Sequence, residues 1–447
     1  MDKNFIQIRF VKRKNGEGEV VAEKEIKKVL VIVYYWPPSG GAGVQRWLKF
    51  VKYLPQFGWQ PTVITTLAGD YPALDTSLLA DVPANVKVVR TKTPTFGKFF
   101  SKKGEKNLPY GSLEIRPNDS FCKKITFWIR LNLIVPDARK FWNKYAYKAA
   151  CQELRKEKYE AIVTSGPPHS THLVGRKLKQ KFGVKWVADF RDPWTKIDYL
   201  EKVKRSKLTA KLDRKLEAKV VHDCDLVLSI NQKILHDLAA GEKGKIISNG
   251  FDASDFAGKK KQLNQKFTIS YFGNITGERN PAIVLQALNY LTEFVSNLQL
   301  DFWGNVSRDV QAELLAADKN HLIVFHDYIS HEQVLQEMID SDLLLLIINN
   351  VPDNKGILTG KIYEYLGAGV PVLGIGPIAG EAAEILQKTN AGQMFDYKDE
   401  NSIKDFIARI YENRLKGRTA DHSAAVGSFS RQELTKELAE ILASMCE

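Results

Sequence analysis

The chain has 447 residues, of which 44% are hydrophobic and 26% are charged. This length fits two domains of about 200 residues each, and this composition is that of a globular protein and excludes extensive disorder. The formal net charge of +13 indicates a basic surface that is suited to bind phosphate groups, whether on a nucleotide, a nucleic acid or an anionic lipid.

The amino terminus and the cysteines predict a cytoplasmic protein. Residues 1–27 lack the long apolar run of a secretory signal, and their alternating pattern predicts a hairpin or a poorly ordered extension. The longest apolar runs, such as LLLLII at 343–348, have the length of strands, so no membrane-spanning helix is expected. The cysteines are scattered without metal-ligand spacing or a disulfide framework, at Cys122, Cys151, Cys224 and Cys446.

Residues 28–250 alternate strand-like apolar runs with amphipathic segments of helix length. The predicted strands are KVLVIVYY, PTVITT, VKVVRT, YEAIVTS, VKWVADF and CDLVLSI. Helices are predicted around 44–57, from Ser170 and near 206–222. This alternation predicts a Rossmann-like, doubly wound parallel sheet.

A glycine-rich turn, WPPSGGAGVQRW, follows the first strand. Gly40, Gly41 and Gly43 let backbone amides approach an anion at the start of the next helix. The turn matches neither the dinucleotide fingerprint nor the P-loop. A donor-phosphate contact at Gly41 and Gly43 and a plain tight turn both remain open.

Two segments concentrate the positive charge. Residues 98–148 carry twelve Lys or Arg against four Asp or Glu, a net of +8, and residues 196–219 carry nine against four, a net of +5. Within 121–142 the basic residues alternate with Phe, Trp, Ile and Leu, which is typical of a helix in a membrane interface. A core helix with basic edges explains the same pattern. For the segment at 196–219, the solvated face of an amphipathic helix is the alternative, because KLTAKLDRKLEAKV has helical spacing.

Polar side chains follow two neighbouring predicted strands of this first domain. His169 and His172 come after YEAIVTS, while Asp189 and Asp192 lie at the end of VKWVADF and just beyond it. These four residues are the candidates for catalysis, because a histidine there can bind or deprotonate a substrate hydroxyl and a carboxylate can orient it. Capping or packing by a histidine, and an internal pair of an aspartate with Arg191, are the structural alternatives.

A second series of strands begins after the turn at Asn249-Gly250 and a lysine-rich linker. Its predicted strands are FTISYFG, LQLDFWG, HLIVFHD, DLLLLII, VPVLGIG and AGQMFD. The chain is therefore expected to form a first domain at 28–250, a second domain at 251–428 and a final helix at 429–447. Ligands of such sheets bind beyond the carboxyl ends of the strands, so a shared cleft is expected.

The first strand of the second domain leads into YFGNITGERNP. Gly273 and Asn274 form a flexible turn, and Arg279 follows it with a guanidinium that suits a diphosphate.

A second candidate donor-binding segment is LTGKIYEYLGAG. Thr359 and Gly360 place backbone amides at a helix start, and Lys361 adds positive charge there. Glu364 follows within one helical turn and can accept hydrogen bonds from sugar hydroxyls.

Taken together, GGAG, SNGFD, YFGNITGERNP and GKIYEYLGAGVPVL resemble glycosyltransferases of the GT-B fold, family four, over about 28–445. Three positions depart from the family pattern. Gly356 replaces the first member of its glutamate pair, and Asn274 stands at the position of its usual arginine. Ser165 replaces a histidine, which leaves His169 as a substitute.

The resemblance implies two Rossmann-like domains facing a cleft, with a C-terminal helix that crosses back to the first domain. It implies that the second domain binds a nucleotide sugar, that the first binds the acceptor, and that the anomeric configuration is retained. No cofactor and no metal are expected, and no nucleic acid partner. A lipid-linked glycan acceptor at the inner face of the cytoplasmic membrane would explain the basic segment at 121–142.

Two other functions compete with this reading. A nucleotide-sugar epimerase shares the fold and would release nucleotide from the donor alone, without an acceptor. A non-enzymatic protein that binds nucleotides or an anionic surface would also account for the positive charge.

Overall fold

The computed structural model describes residues 26–71, 73–94, 121–197, 203, 205–327, 329–418 and 422–447. The strands are β1 (Lys27–Ile32), β2 (Trp59–Thr66), β3 (Lys87–Thr91), β4 (Ala161–Gly166), β5 (Lys185–Phe190), β6 (Leu226–Ser229), β7 (Gly244–Ile246), β8 (Phe267–Phe272), β9 (Leu298–Trp303), β10 (Ile323–His326), β11 (Leu343–Ile347), β12 (Val372–Ile375) and β13 (Gly392–Phe395). The helices are α1 (Ala42–Tyr53), α2 (Phe121–Asn132), α3 (Asn143–Lys156), α4 (His172–Phe182), α5 (Lys207–Asp223), α6 (Gln232–Asp237), α7 (Ala253–Phe256), α8 (Ala282–Leu291), α9 (Arg308–Ala317), α10 (His331–Asp340), α11 (Gly360–Ala368), α12 (Glu381–Thr389), α13 (Glu400–Leu415) and α14 (Arg431–Cys446).

The first sheet is parallel, with strands in the order β3-β2-β1-β4-β5-β6-β7. Successive residues of β1 enter two different cores. Leu30 and Ile32 join a core that includes residues of α3 and α4, whereas Val29 and Val31 join one that includes residues of α1 and α14. Helices thus cover both faces of the sheet, which explains why its strands read as continuous apolar runs.

The second sheet is also parallel, in the order β10-β9-β8-β11-β12-β13. Its central strand β11 supplies Leu343 and Leu345 to one core and Leu344 and Leu346 to the other. The run LLLLII at 343–348 is therefore a strand buried on both faces, as its length predicts.

The last helix, α14, crosses back to the first domain. Leu434, Leu438 and Leu442, spaced four residues apart, lie on one helical face and join Trp47 and Leu48 of α1 in the first-domain core. This packing leaves the start of α14 beside the junction between the two sheets, where the Arg431 amide donates to the Phe251 carbonyl at 2.7 Å.

The expected fold is confirmed: two parallel α/β domains and a crossing terminal helix. The helix predicted around 44–57 is α1 followed by a 3-10 turn over Leu54–Phe57. The short strand β7 was not predicted from the sequence, since three residues are too few for an alternating pattern. The predicted hairpin or extension at 1–27 and the basic residues at 98–120 lie outside the described residues, apart from 26 and 27.

Candidate functional site

A cavity of about 540 Å³ lies at the carboxyl ends of the second sheet. It is lined by Phe272, Gly273, Asn274, Trp303, Gly304, Asn305, His326, Asp327, Ile329, His331, Val334, Met338, Lys361 and Glu364. Its size falls within the range of about 300–1,000 Å³ typical of small-molecule sites. Four of the predicted donor-binding residues thus meet in one space: Gly273, Asn274, Lys361 and Glu364.

Lys361 occupies the floor of this cavity. Its ammonium donates to the Tyr271 hydroxyl at 2.9 Å and lies 4.5 Å from the centroid of the same ring. Gly273, with a φ of 119°, makes room for it, because a Cβ at this position would stand 2.6 Å from Lys361 Cε. The sequence predicts that the turn at Gly273 lets a phosphate approach the backbone. In the structure, this turn makes room for the side chain of Lys361, whose ammonium can bind a phosphate.

The start of α11 lies beside this lysine. Thr359 is the N-cap residue, and its side chain makes no capping hydrogen bond; its buried hydroxyl has no partner among the described residues. The amides of the first helical turn lack intrahelical acceptors, and the helix dipole favours an anion there. Gly360, the first helical residue, lines a smaller neighbouring cavity instead.

Arg279 is held at the carboxyl edge of β11. Its Nε donates to Asn349 Oδ1, and Asn349 Nδ2 donates to Glu278 Oε2 at 3.1 Å. Arg279 does not line the cavity, but this contact fixes its guanidinium on the ligand side of the sheet.

Glu364 forms an ion pair with a histidine that the sequence did not single out. His331 Nε2 lies 3.3 Å from Glu364 Oε1, and this hydrogen bond raises the pKa of His331 in spite of partial burial. His331 is the first residue of α10, where Ser330 and Gln333 form a capping box. The sequence SHEQ at 330–333 predicts the start of that helix, but only the tertiary structure brings His331 close to Glu364.

An aromatic wall closes the far side of the cavity. The Trp303 and His326 rings stack with centroids 3.7 Å apart and an interplanar angle of 6°, and Phe272 lies parallel to Trp303 at 6.2 Å. His326 Nε2 is 2.8 Å from Asp301 Oδ1, which fixes the imidazole. The sequence analysis missed this wall, although Trp303 and His326 stand at the ends of predicted strands.

In the first domain, Arg191 ties three loops together at the carboxyl edge of the sheet. Its guanidinium donates to the carbonyls of Gly43, Gly166 and Pro167. A Cβ at Gly43 would lie 2.5 Å from Arg191 Nη1, so the glycine leaves room for the guanidinium to reach the Gly43 carbonyl. Gly41 is the N-cap residue of α1, with a φ of 96°. The turn predicted to bind phosphate is thus held by an arginine in this structure.

His169 and His172 are buried side by side behind this edge. His169 stacks on Trp194 at 5.3 Å, and His172 stands 4.4 Å from the Phe190 ring. Burial lowers the pKa of His172 to about 3 and that of His169 well below its usual value, so both rings are neutral.

Each of these histidines keeps a ring nitrogen without a hydrogen-bond partner among the described residues. His172 Nδ1 pairs with Thr164 Oγ1 at 2.9 Å, while its Nε2 is unpaired. Neither nitrogen of His169 is hydrogen-bonded, although the ring approaches the Pro193 carbonyl. His169 Nδ1 and His172 Nε2 both approach Gly166, since a Cβ there would meet them at 2.8 and 2.7 Å.

Asp189 is fully buried and makes internal contacts. Its carboxylate pairs with Arg46 at 3.0 Å and accepts from Trp47 Nε1 and Ser165 Oγ, both at 2.7 Å. An internal arginine pair was the structural alternative for this loop, but its partner is Arg46 rather than Arg191. Asp192 lies beside Arg191, and burial raises its pKa against the opposing charge of that arginine.

A larger cavity, of about 830 Å³, lies elsewhere, near the amino ends of β12 and β13. Since ligands of parallel sheets bind beyond the carboxyl ends, the 540 Å³ cavity is the stronger candidate. In the described part of the chain, no cluster of three or more His, Cys, Asp or Glu side chains is arranged to hold a metal ion. None of the described helices is both long and apolar enough to cross a membrane.

The sequence matches no protein-family model and no curated protein. Solved structures nevertheless share its fold. HepE of Anabaena, solved with UDP and also with UDP and glucose, is 15% identical in the UDP complex, with a TM-score of 0.61 over 93% of this chain and 100% of that chain.

Two further structures show the same similarity. Sucrose-phosphate synthase of Thermosynechococcus elongatus is 14% identical, with a TM-score of 0.54 over 94% of this chain and 96% of that one. The lipopolysaccharide outer core galactosyltransferase WaaB is 12% identical, with a TM-score of 0.55 over 93% and 99%. The chain therefore has the GT-B fold, as the resemblance implied, while family four stays a prediction.

Proposed function

We propose that this chain is a glycosyltransferase that moves a sugar from a nucleotide-sugar donor to an acceptor hydroxyl. The observation that carries the proposal is the 540 Å³ cavity, where a stacked aromatic wall, a lysine and a carboxylate line one space beside a helix start. These are the groups that a base, a diphosphate and a ribose require. The solved complexes of HepE with UDP support a donor of this class.

The donor fills the cavity in three parts. Its base lies against Trp303 and His326, whose parallel rings offer a flat apolar face. Its ribose hydroxyls donate to Glu364, whose carboxylate also contacts His331. Its diphosphate is bound by Lys361 in the cavity and, beyond the cavity, by the amides at Thr359 and Gly360 and by Arg279. Asn274 adds a polar group at the mouth of the cavity.

The transfer retains the anomeric configuration in this proposal. The acceptor hydroxyl attacks on the face that the nucleotide leaves, and the departing phosphate oxygen takes its proton. Lys361, Arg279 and the dipole of α11 stabilise the negative charge on the leaving diphosphate, so the proposal includes no metal and no cofactor.

The first domain binds the acceptor. His169, or His172 in its place, orients the transferred sugar as a neutral ring that donates or accepts one hydrogen bond. Asp192 orients the acceptor hydroxyl. Asp189 positions Ser165 and Arg46, and Gly41 and Gly43 bring the start of α1 towards the diphosphate.

The acceptor is a lipid-linked glycan, and the protein works at the cytoplasmic face of a membrane during polysaccharide synthesis. Helix α2 exposes Ile125, Trp128 and Ile129, with Leu133 beyond it. The start of α5 adjoins this apolar face, because the Ser206 amide donates to Asn132 Oδ1 at 2.7 Å. That part of α5 adds exposed apolar and basic residues at Leu208, Leu212, Lys207, Lys211, Arg214 and Lys215.

Binding of this surface to anionic vesicles tests that assignment. We expect the protein to float with vesicles that contain anionic lipid, and less with neutral vesicles. The double change Trp128→Ser and Leu133→Ser should weaken binding about 10-fold or more, because both side chains are more than half exposed. Leu263→Ser, at a leucine of the second domain that is even more exposed, is the control. If the wild type, the double variant and Leu263→Ser all float equally, this surface does not bind the membrane.

Thermal unfolding of the purified chain with nucleoside diphosphates and nucleotide sugars, in EDTA, tests the proposed function. We expect one nucleotide sugar to raise the melting temperature, since a ligand that binds only the folded state stabilises it by mass action, by about 2.7 kcal/mol at 100 times its Kd. Nucleotide release from that donor without acceptor would favour the epimerase. No shift with any nucleotide would contradict the proposal and favour an anionic-surface binding protein.

A further inference from the structure

Asn231 lies just beyond the carboxyl end of β6, and its side chain makes one hydrogen bond within each domain. Its Oδ1 accepts from the Ile234 amide at 2.9 Å, which caps the start of α6. Its Nδ2 donates to the Gly356 carbonyl of the second domain, also at 2.9 Å. Only 5% of the Asn231 surface is exposed. The same buried amide group therefore caps a helix and joins the two domains.

Gly356 ends a 3-10 turn, Asn354–Gly356, that lies directly against the start of α6. A Cβ at Gly356 would lie 2.6 Å from Lys233 Cδ and 2.8 Å from Lys233 Cβ, so only a glycine leaves room for this lysine. The Lys233 ammonium lies 2.6 Å from Asp353 Oδ2, and the Lys233 amide lies 3.4 Å from Glu381 Oε1. The start of α6 thus contacts the second domain through both its backbone and its side chains.

The 3-10 turn belongs to the loop at 348–359, which connects β11 to α11 and is called the bridging loop below. The last residue of this loop is Thr359, the N-cap of α11. Near its beginning, Asn349 accepts a hydrogen bond from Arg279. The bridging loop therefore connects the arginine partner and the helix start that the proposed function assigns to the diphosphate.

Two contacts hold the bridging loop, one from each domain. The Tyr397 hydroxyl of the second domain lies 3.0 Å from the Asn349 carbonyl and 2.9 Å from Asn354 Nδ2, which fixes the first half of the loop. Asn231 of the first domain fixes the Gly356 carbonyl, in the half that leads into α11. Because the Asn231 bond is buried, its loss would leave a polar group without its partner and would free this half of the loop.

We propose that Asn231 is a positioning residue for the donor: from the first domain it holds the bridging loop where Arg279 and the start of α11 meet the diphosphate. This role rests on the proposed function, which supplies the diphosphate. It adds that the donor site is completed across the domain boundary, so the first domain contributes to donor affinity through a side chain that does not touch the donor. Lys233 contributes less to the same contact, because the Asp353 side chain is 75% exposed and an exposed ion pair is weak.

Amide hydrogen exchange of the full chain, without ligand, measures how firmly the bridging loop is held. We expect Asn231→Asp to speed exchange in the peptides that cover 349–359 about 5-fold, since the net contribution of one hydrogen bond is lost. Exchange in α6 should stay unchanged, because aspartate caps a helix as well as asparagine does and only the donor is removed. Asn231→Ser also keeps a capping oxygen and adds no charge, so it replaces Asn231→Asp if the buried carboxylate prevents folding.

Isothermal calorimetry with a nucleoside diphosphate, the one that raises the melting temperature most, measures the consequence for the donor. We expect Asn231→Asp and Asn231→Ser to bind it about 5-fold more weakly than the wild type does. Lys233→Met should weaken binding about 2-fold, as for an exposed ion pair. Lys196→Met is the matched control and should bind as the wild type does, because Lys196 pairs at 3.0 Å with Asp237, in α6 of the same domain.

Three results would overturn the role of Asn231. Unchanged exchange at 349–359 in both variants would show that the bridging loop is held without this side chain. Faster exchange confined to α6 would show that Asn231 only caps its own helix. Faster exchange at 349–359 with unchanged affinity for the nucleoside diphosphate would show that the place of the loop does not affect the donor.

Failure of this role and failure of the proposed function give different results. If the wild type binds a nucleoside diphosphate and both Asn231 variants bind it equally well, only the role of Asn231 is wrong. If no nucleoside diphosphate binds the wild type, the proposed function is wrong and the donor role of Asn231 is wrong with it.

Discussion

Replacing Arg279 by alanine is expected to lower kcat about 100- to 1,000-fold, which is the usual effect of removing one group that stabilises a developing negative charge. Arg279 is held by Asn349 at the carboxyl edge of β11, so its guanidinium is already oriented before the donor binds. The charge of the leaving diphosphate grows as the glycosidic bond breaks, and the loss should therefore appear in kcat rather than in KM alone.

Steady-state kinetics with the donor identified by thermal shift measure this effect. Arg308→Ala, at an exposed arginine of the same domain outside the cavity, is the matched control and should keep normal turnover. The free energy of unfolding of Arg279→Ala should change by less than about 1 kcal/mol, because the side chain is not part of the core. Near-normal kcat in a folded Arg279→Ala protein would contradict the proposed role.

Replacing Asp189 by asparagine is expected to lower the free energy of unfolding by about 3–5 kcal/mol. The carboxylate is fully buried and accepts from Arg46, Trp47 and Ser165. The neutral amide would leave the Arg46 guanidinium as a buried charge without a counter-ion. For a domain of this size the melting temperature should fall on the order of 10 °C.

Urea unfolding and thermal melts of single and double variants measure this loss. Asp192→Asn, three residues further along the same loop, should change the free energy of unfolding by less than about 1 kcal/mol. The double change Arg46→Met and Asp189→Leu should recover most of the stability, because it removes both charges together. A loss below about 1 kcal/mol in Asp189→Asn would show that the ion pair does not hold helix α1 to the end of β5.

Patterns local in the chain were enough to predict the architecture. LLLLII at 343–348 identified a strand, and GKIYEYLGAG identified a helix that begins near Thr359 and ends at Gly369. The same patterns placed Lys361 and Glu364 on one helix and Gly273 at the end of a strand, and the structure brings these three into one cavity. Such predictions succeed because periodicity and turn residues depend on near neighbours.

Only the tertiary structure shows which side chains the candidate residues pair with. Glu364 meets His331 from 33 positions away, and Asp189 meets Arg46 from 143 positions away. No local spacing encodes such pairs, since they form only when separate strands and helices are brought to the same edge of a sheet.

Sequence by itself therefore determined two parallel α/β domains, a crossing final helix and a strongly basic chain. Only the tertiary structure decided which of the candidate residues are paired inside the fold. It paired Asp189 with Arg46 and stacked Trp303 on His326. The physical reason is that burial and pairing depend on long-range packing, whereas periodicity is a property of the chain within a few residues.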